Sequence, residues 1–229
     1  YYNFNGLNLT FETLDGLIKH NGPLINLTKL NKILGKNFFK NKIKFSNNTS
    51  LEAQIAAISD DIAYNSHDLE DGLKSNLFKL NDLRKIQVLN KIISKHKTRF
   101  NKYSIDLIVR QIIRDTINEM VKDVIKTTRK NIKLNNIKSL KDVYRTKSQI
   151  VCFSDNMQKF DLQIKSFLRE KMYFHKNVKV KTNYGKKVIN NLFLIIKKNP
   201  KKYIDIIKYK DSNIERIICD YIAGMTDRY

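Results

Sequence analysis

Three polar side chains recur at four-residue spacing near the start of the chain: Asp60, Tyr64 and Asp68. On an α-helix, which turns by about 100° per residue, these three and Asp71 lie within about 80° of one another. The opposite face carries an apolar stripe of Leu51, Ile55, Ile58 and Ile62. Buried carboxylates are costly unless a metal ion or other cations compensate their charge, so this face is a candidate metal or phosphate-linked site.

The segment around these residues also lacks positive charge. From Phe45 to Leu73 there is no Lys or Arg, although Lys and Arg number 44 in the 229 residues. On the acidic side, small residues predict that another element packs close: Ala53, Ala56, Ala57 and Ala63. The alternative interpretation is an amphipathic helix whose acidic face is simply solvated.

Helical patterns extend along almost the whole chain, because only Pro23 and Pro200 interrupt them. Thr10 is the expected N-cap of a helix over 11–19, and Thr49 with Glu52 forms a capping box that opens a helix to about residue 71, ended by Gly72. Segment 24–46 is expected to be irregular. Further helices are predicted over 83–94, 104–128, 160–173, 188–198 and 201–208, and from a capping box of Ser212 with Glu215. Segment 150–153 could be a buried strand or a loop anchor. A single all-α region over 1–229 follows.

Composition excludes several classes of protein. The 41% hydrophobic content argues against disorder, and 7 Gly with 2 Pro argue against collagen-like chains. Cys152 and Cys219 are too few for a disulfide scaffold and show no zinc-type spacing, which favours a reducing, cytoplasmic compartment. No apolar run approaches the ~20 residues of a membrane span, and we expect no signal peptide. Since the chain begins with Tyr1, we expect it to be a piece of a longer protein.

The net charge of +22 has two interpretations. Lys, Asn and Ile are in excess together, and 35 Lys stand against 9 Arg, as A/T-rich coding would produce. The alternative is a surface that binds nucleic acid or a regulatory nucleotide through the basic stretches 126–148 and 176–202. His96 and His175 show no ligand spacing and are expected to be packing or surface residues.

Four stretches, in order, resemble the deoxyguanosine triphosphate triphosphohydrolase-like family, HD-domain enzymes that hydrolyse a deoxynucleoside triphosphate to deoxynucleoside and triphosphate. They are GLNLTFETLDGLIKHNGP at 6–23, SLEAQIAAISDDIAYNSHDLEDG at 50–72, FLREKMY at 167–173 and DYIAGMTDRY at 220–229. The resemblance implies a multi-helical HD-domain-like phosphohydrolase fold. It also implies a deoxynucleoside triphosphate as the partner, a homo-oligomer and no membrane, with nucleic acid as a secondary possibility.

The resemblance also implies roles for individual residues. Asp60 matches the last protein ligand of a divalent metal ion such as Mg²⁺ or Mn²⁺. Tyr64 matches a tyrosine that packs against the deoxyribose, and Asp68 matches a carboxylate that bonds the sugar 3′-OH. Lys19 matches a lysine that contacts the triphosphate, with His20 beside it. Arg228 and Tyr229 belong to a motif with a structural or a substrate-linked role.

One family feature is missing. An HD site needs an earlier His and a His-Asp pair, whereas the only His-Asp dipeptide here is His67-Asp68, inside the later signature. The chain is therefore expected to be the central to C-terminal part of such an enzyme, without its N-terminal helices and with little or no turnover alone. The alternatives are a non-catalytic remnant and a basic nucleic-acid or nucleotide-binding module.

Overall fold

The computed structural model describes residues 7–34, 43–205 and 213–226, and within these ranges all regular secondary structure is helical. The all-α prediction is therefore confirmed. By contacts the chain divides into two compact units, Tyr1–Leu168 and Arg169–Tyr229. In the first unit the helices are α1 (Phe11–Ile18), α2 (Thr28–Leu34), α3 (Leu51–Lys74), α4 (Leu80–Leu83), α5 (Gln87–Lys95), α6 (Ile105–Leu134), α7 (Leu140–Arg145) and α8 (Asp155–Leu168). The second has a π-helical turn (Arg169–Tyr173), α9 (Lys176–Lys198), a 3₁₀ turn (Pro200–Lys202) and α10 (Ile214–Ala223).

The core of the first unit lies where α3 packs against α6 and α8. Apolar side chains at helical spacing on these elements are fully buried, among them Leu69, Ile112, Met120, Ile164 and Leu168. Each helix buries one stripe because its apolar residues recur every three to four positions. In the second unit α9 and α10 enclose a smaller cluster of Ile196, Ile204, Ile217 and Ile218. Among the described helices none is long and apolar enough to cross a membrane.

Several helix boundaries differ from the sequence predictions. The helix of Thr10 is confirmed, since its hydroxyl accepts a hydrogen bond from the Thr13 amide. The Thr49 capping box is wrong, because Ser50 is the N-cap of α3 and accepts from Ala53. The segment 24–46 contains α2, and α9 begins twelve residues before the predicted start at 188. Asn213 caps α10, whereas Ser212 lies outside the described residues, as do Arg228 and Tyr229.

Gly72 does not end α3, which runs on to Lys74. A Cβ atom at Gly72 would lie 2.2 Å from Cε1 and 2.3 Å from Cζ of Phe78, whose ring is buried and packs edge-to-face on Phe167. The glycine is therefore required for close packing inside a helix and not for chain reversal.

We expect Gly72→Ala to lower the free energy of unfolding by about 1–3 kcal/mol, the usual cost of overpacking a core. Alanine is favoured over glycine in a helix by up to about 1 kcal/mol, so the loss shows that packing outweighs propensity. Urea unfolding followed by circular dichroism measures the change. Gly185→Ala on α9 is the matched control, because a Cβ there meets nothing within 4 Å and should not destabilise the protein. Equal effects of the two changes would contradict this role of Gly72.

Candidate functional site

The acidic face of α3 points away from the core. The Asp60 side chain is 69% exposed and Tyr64 is 61% exposed, while Asp68 is half-buried. The buried face of α3 is centred on Ile62, Asn65 and Leu69. Ile55 is exposed, so its assignment to the apolar stripe is wrong. In the described part of the chain, this face is open to solvent around Asp60 and Tyr64, and its N-terminal end is covered by α1.

Small residues let α1 pack closely against the N-terminal end of α3. A Cβ placed on Gly16 of α1 would lie 2.9 Å from the Cβ of Ala53, so the two helices approach closely there. Ala56 lines a cavity of about 390 Å³ between the same helices, together with Leu17 and His20. The predicted close neighbour is thus confirmed at Ala53, whereas Ala63 is exposed.

His20 and Asp60 are the predicted site residues that the structure brings together. Nε2 of His20 lies 3.7 Å from Oδ2 of Asp60, and both side chains are accessible from solvent. His20 comes directly after Lys19, the C-cap of α1. The packing of α1 on α3 therefore places an imidazole beside the first carboxylate of the acidic face.

Lys19 lies on a different side of α1. It is only 2% exposed, and its Nζ bonds Oδ1 of Asp15 at 2.5 Å. Both residues line a separate cavity of about 380 Å³ that also includes Lys44, Lys141 and Arg145. Lys19 is the C-cap of α1 and His20 is the next residue, and their side chains contact different surroundings.

The start of α3 is held by a buried glutamine that the sequence analysis did not identify. The Gln54 side-chain amide donates to the carbonyl of Thr49 at 2.9 Å. Its Oε1 accepts from the backbone amides of Ile150 and Val151 at 2.9 and 3.1 Å. One side chain thus satisfies three backbone groups and ties α3 to the segment 150–153, which is a loop anchor and not a strand.

The middle of α3 is held by a second polar network, also missed in the sequence. The Asn65 amide donates to Oδ1 of Asp161 at 2.7 Å. Lys165 bridges Asp161 and Asp61, with Nζ–O distances of 2.9 and 3.2 Å. The one available signal is that Gln54 and Asn65 are polar residues at positions that the helical period assigns to the core face.

Burial raises the pKa of Asp161 above its ordinary value, and the charge of Asp61 adds to this, although Lys165 and Asn65 act in the other direction. Burial acts to lower the pKa of Lys165, but Asp161 and Asp61 outweigh it and raise that pKa. The two shifts therefore have different causes: burial dominates at Asp161, whereas two neighbouring carboxylates stabilise the ammonium of Lys165.

The raised pKa of Asp161 sets the sign of a pH effect. The folded state holds this proton more tightly, so its contribution to stability is present below the unfolded pKa of about 3.9 and is lost as the pH rises through the folded value. Asp161→Asn keeps an acceptor for Asn65 without the charge. We therefore expect the variant to gain stability relative to the unchanged protein as the pH rises from about 4 toward neutrality, as measured by urea midpoints.

Asp142→Asn provides a control of opposite sign. Hydrogen bonds from Ser139 and from the Lys138 amide lower the pKa of Asp142, so its ionised form favours folding. That variant should lose stability relative to the unchanged protein over the same rise in pH. If both variants respond to pH with the same sign, the assigned role of Asp161 is wrong.

The described residues do not by themselves form a metal site. No group of three or more His, Cys, Asp or Glu side chains comes together in 7–34, 43–205 and 213–226. Asp60 with His20 offers two potential ligands, whereas metal sites that bind tightly use more. Asp60 is therefore at most one edge of such a site.

Comparison with known proteins agrees with the motifs. A family model described as a phosphohydrolase-associated domain matches residues 151–229. A deoxyguanosinetriphosphate triphosphohydrolase-like protein of Pelagibacter ubique is 51% identical over 229 residues, covering 100% of this chain and 62% of the relative. Proteins with the same description from Bartonella tribocorum and Caulobacter vibrioides are 33% and 35% identical, with 100% of this chain and 60% of each relative covered. The chain spans about 60% of the length of these relatives, and the family resemblance is confirmed.

Proposed function

We propose that this chain contributes the sugar-binding side of an active site that hydrolyses a deoxynucleoside triphosphate to deoxynucleoside and triphosphate. The proposal is supported by its similarity, over its full length, to the deoxyguanosinetriphosphate triphosphohydrolase-like proteins. The observation that carries the proposal is the open face of α3. It presents Asp60 and Tyr64 to solvent, with the half-buried Asp68 on the same side of the helix and His20 next to Asp60.

The spacing of these residues matches the parts of a nucleotide. Residues four apart on a helix are separated by about 6 Å along its axis, so the three side chains form three successive contact points. We assign the ring of Tyr64 to the apolar face of the deoxyribose. Asp68 then accepts a hydrogen bond from the 3′-OH, and Asp60 lies at the α-phosphate end. The nucleotide would therefore run along α3 with its phosphates toward the N-terminus of the helix.

Asp60 is proposed as one ligand of a divalent ion such as Mg²⁺ or Mn²⁺. The other ligands would be an earlier His and a His-Asp pair, which are not among the residues of this chain. Such an ion activates water or polarises a phosphoryl oxygen. His20 would hold or orient groups next to the Asp60 carboxylate. The ammonium of Lys19 is paired with Asp15, so we do not assign it a direct contact with the phosphates. We propose instead that the phosphates contact the cations that share its cavity, Lys44, Lys141 and Arg145.

The compartment is proposed from the cysteines, and assembly from the family resemblance. Cys152 and Cys219 are both free thiols, which fits a reducing cytoplasm. Assembly into a homo-oligomer stays a prediction, which the mass in solution measures directly.

The role of Asp68 predicts a change in sugar selection. In the longest reading frame that contains this chain, we expect Asp68→Asn to reduce the preference for a deoxynucleoside triphosphate over its 2′,3′-dideoxy analogue by about 10- to 150-fold. That range corresponds to a hydrogen bond to a charged group, about 1.5–3 kcal/mol. The ratio of kcat/KM for the two nucleotides is the measurement.

Asp71→Asn is the matched control, because Asp71 lies on the same face of α3, within the next turn, and is exposed. It should leave the ratio unchanged within about twofold. If Asp68→Asn retains activity and the same preference for the deoxynucleoside triphosphate over its dideoxy analogue, Asp68 does not bind the 3′-OH.

A further inference from the structure

The solvent face of the long helix α6 carries a line of positive side chains. Lys122, Lys126, Arg129, Lys130 and Lys133 line a shallow depression of about 530 Å³, with Ile125 at its edge. The opposite side of the same helix is anchored: Met120 and Val124 are buried, and the Asn131 amide donates to the Ile150 carbonyl at 3.0 Å. The five cations therefore have a fixed direction, away from the core. We refer to them as the α6 basic face.

The α6 basic face is not neutralised by ion pairs in the described ranges, although Glu119 lies one turn before Lys122 on the same side of the helix. None of its five cations forms an ion pair there, whereas Lys74, Lys165 and Lys197 elsewhere do. Asp123, the acid nearest in sequence to Lys122, is turned to the other side and accepts two hydrogen bonds from Ser154. Like charges three and four residues apart destabilise a helix. The cations of the α6 basic face therefore repel one another in the free protein. A bound polyanion would neutralise them and remove this repulsion.

We propose that the α6 basic face binds the phosphate backbone of nucleic acid without sequence preference. Its cations recur at steps of three or four residues along α6, about 4.5–6 Å per step and about 16 Å in all. A nucleic-acid strand offers a matching regular row of negative charges, and binding releases its condensed counterions. Four of the five cations are lysines, which act as point charges on phosphates rather than as bidentate readers of bases.

The shape of the face favours nucleic acid over a membrane surface. A helix that binds a bilayer inserts a continuous apolar face between its lipids. The apolar face of α6 is instead buried in the protein core, and Ile125, 46% exposed, is the apolar residue that the depression offers.

The test measures binding of this chain to a fluorescein-labelled 20-nucleotide single strand and to the matching duplex by fluorescence anisotropy between 50 and 300 mM NaCl. Each neutralised phosphate contributes about −0.9 to the slope of log K against log salt for duplex and about −0.7 for single strands. We expect a slope of about −3 to −5. The triple variant Lys126→Glu, Arg129→Glu, Lys133→Glu should bind at least about tenfold more weakly. The slope of log K against log salt should become less negative by about two to three.

A matched control separates the face from the overall charge. Lys181→Glu, Lys186→Glu, Lys187→Glu on α9 changes the net charge equally, on side chains that are also exposed. It should weaken binding by less than about threefold. If the Glu variant fails to fold, a triple change to Gln at 126, 129 and 133 tests the same face. Circular dichroism checks the helix content of this variant.

Several results would overturn the proposal. One is the absence of salt-dependent binding by the unchanged chain, and another is equal weakening by the two triple variants, which would assign binding to net charge alone. Binding to phosphatidylserine vesicles without binding to either oligonucleotide would assign the face to membranes. A preference between single strand and duplex identifies the form that the face accepts.

Discussion

Asp60→Ala should lower metal-dependent release of triphosphate by at least about 100-fold in the longest reading frame that contains this chain. Removing even an outer-shell partner of a metal ligand costs about 10- to 100-fold, and loss of a ligand costs at least as much. The side chain is exposed in the described part of the chain, so its removal does not open the core. Triphosphate produced from a deoxynucleoside triphosphate, with and without added Mn²⁺, is the measurement.

Asp61→Ala is the control for this prediction. Asp61 is the neighbour of Asp60 and has the same side chain, but it faces α8, where Lys165 contacts it at 3.2 Å. An exposed ion pair of this kind contributes at most about 1 kcal/mol to stability, so the rate should stay within about threefold. Retained activity in Asp60→Ala would refute the metal-ligand assignment and leave the family fold intact.

Gln54→Leu should lower the free energy of unfolding by about 3–5 kcal/mol. Leucine has nearly the same size but makes none of the three hydrogen bonds of the glutamine side chain. The Thr49 carbonyl and the amides of Ile150 and Val151 would then be buried without partners, at about 1–3 kcal/mol each, partly offset by local adjustment. Urea unfolding monitored at 222 nm gives the change.

Gln158→Leu on α8 is the control, because Gln158 is exposed and makes no side-chain hydrogen bond that α8 depends on. It should change stability by less than about 0.5 kcal/mol. If Gln54→Leu is equally mild, the link between α3 and the segment 150–153 does not hold α3 in place. The orientation of Asp60, six residues further along α3, would then need another explanation.

The acidic face of α3 could be predicted from the sequence because it is a local property. Four-residue spacing of Asp60, Tyr64 and Asp68 places them on one side of any helix, whatever that helix packs against. The same is true of the Thr10 cap, whose hydroxyl reaches an amide three residues away. Such features depend only on the backbone geometry of one turn.

The errors share a different cause. Gly72 was predicted to end a helix because glycine is usually a terminator, but its role here depends on the position of the Phe78 ring. Ile55 belongs to the apolar stripe by its spacing, although its surroundings leave it exposed. In both cases, residues outside the local helical pattern decide the outcome.

The sequence by itself determined the helical content, the family resemblance and the three-residue row on α3, because periodicity and motifs depend on residues close together in the chain. Only the tertiary structure decided that His20 rather than Lys19 lies beside Asp60. It also decided that Gln54 and Asn65, both polar, anchor the helix through partners 96 residues away. Burial and pairing across such distances follow from how whole helices pack, and the free energy of that packing is a sum over contacts that no single stretch of sequence contains.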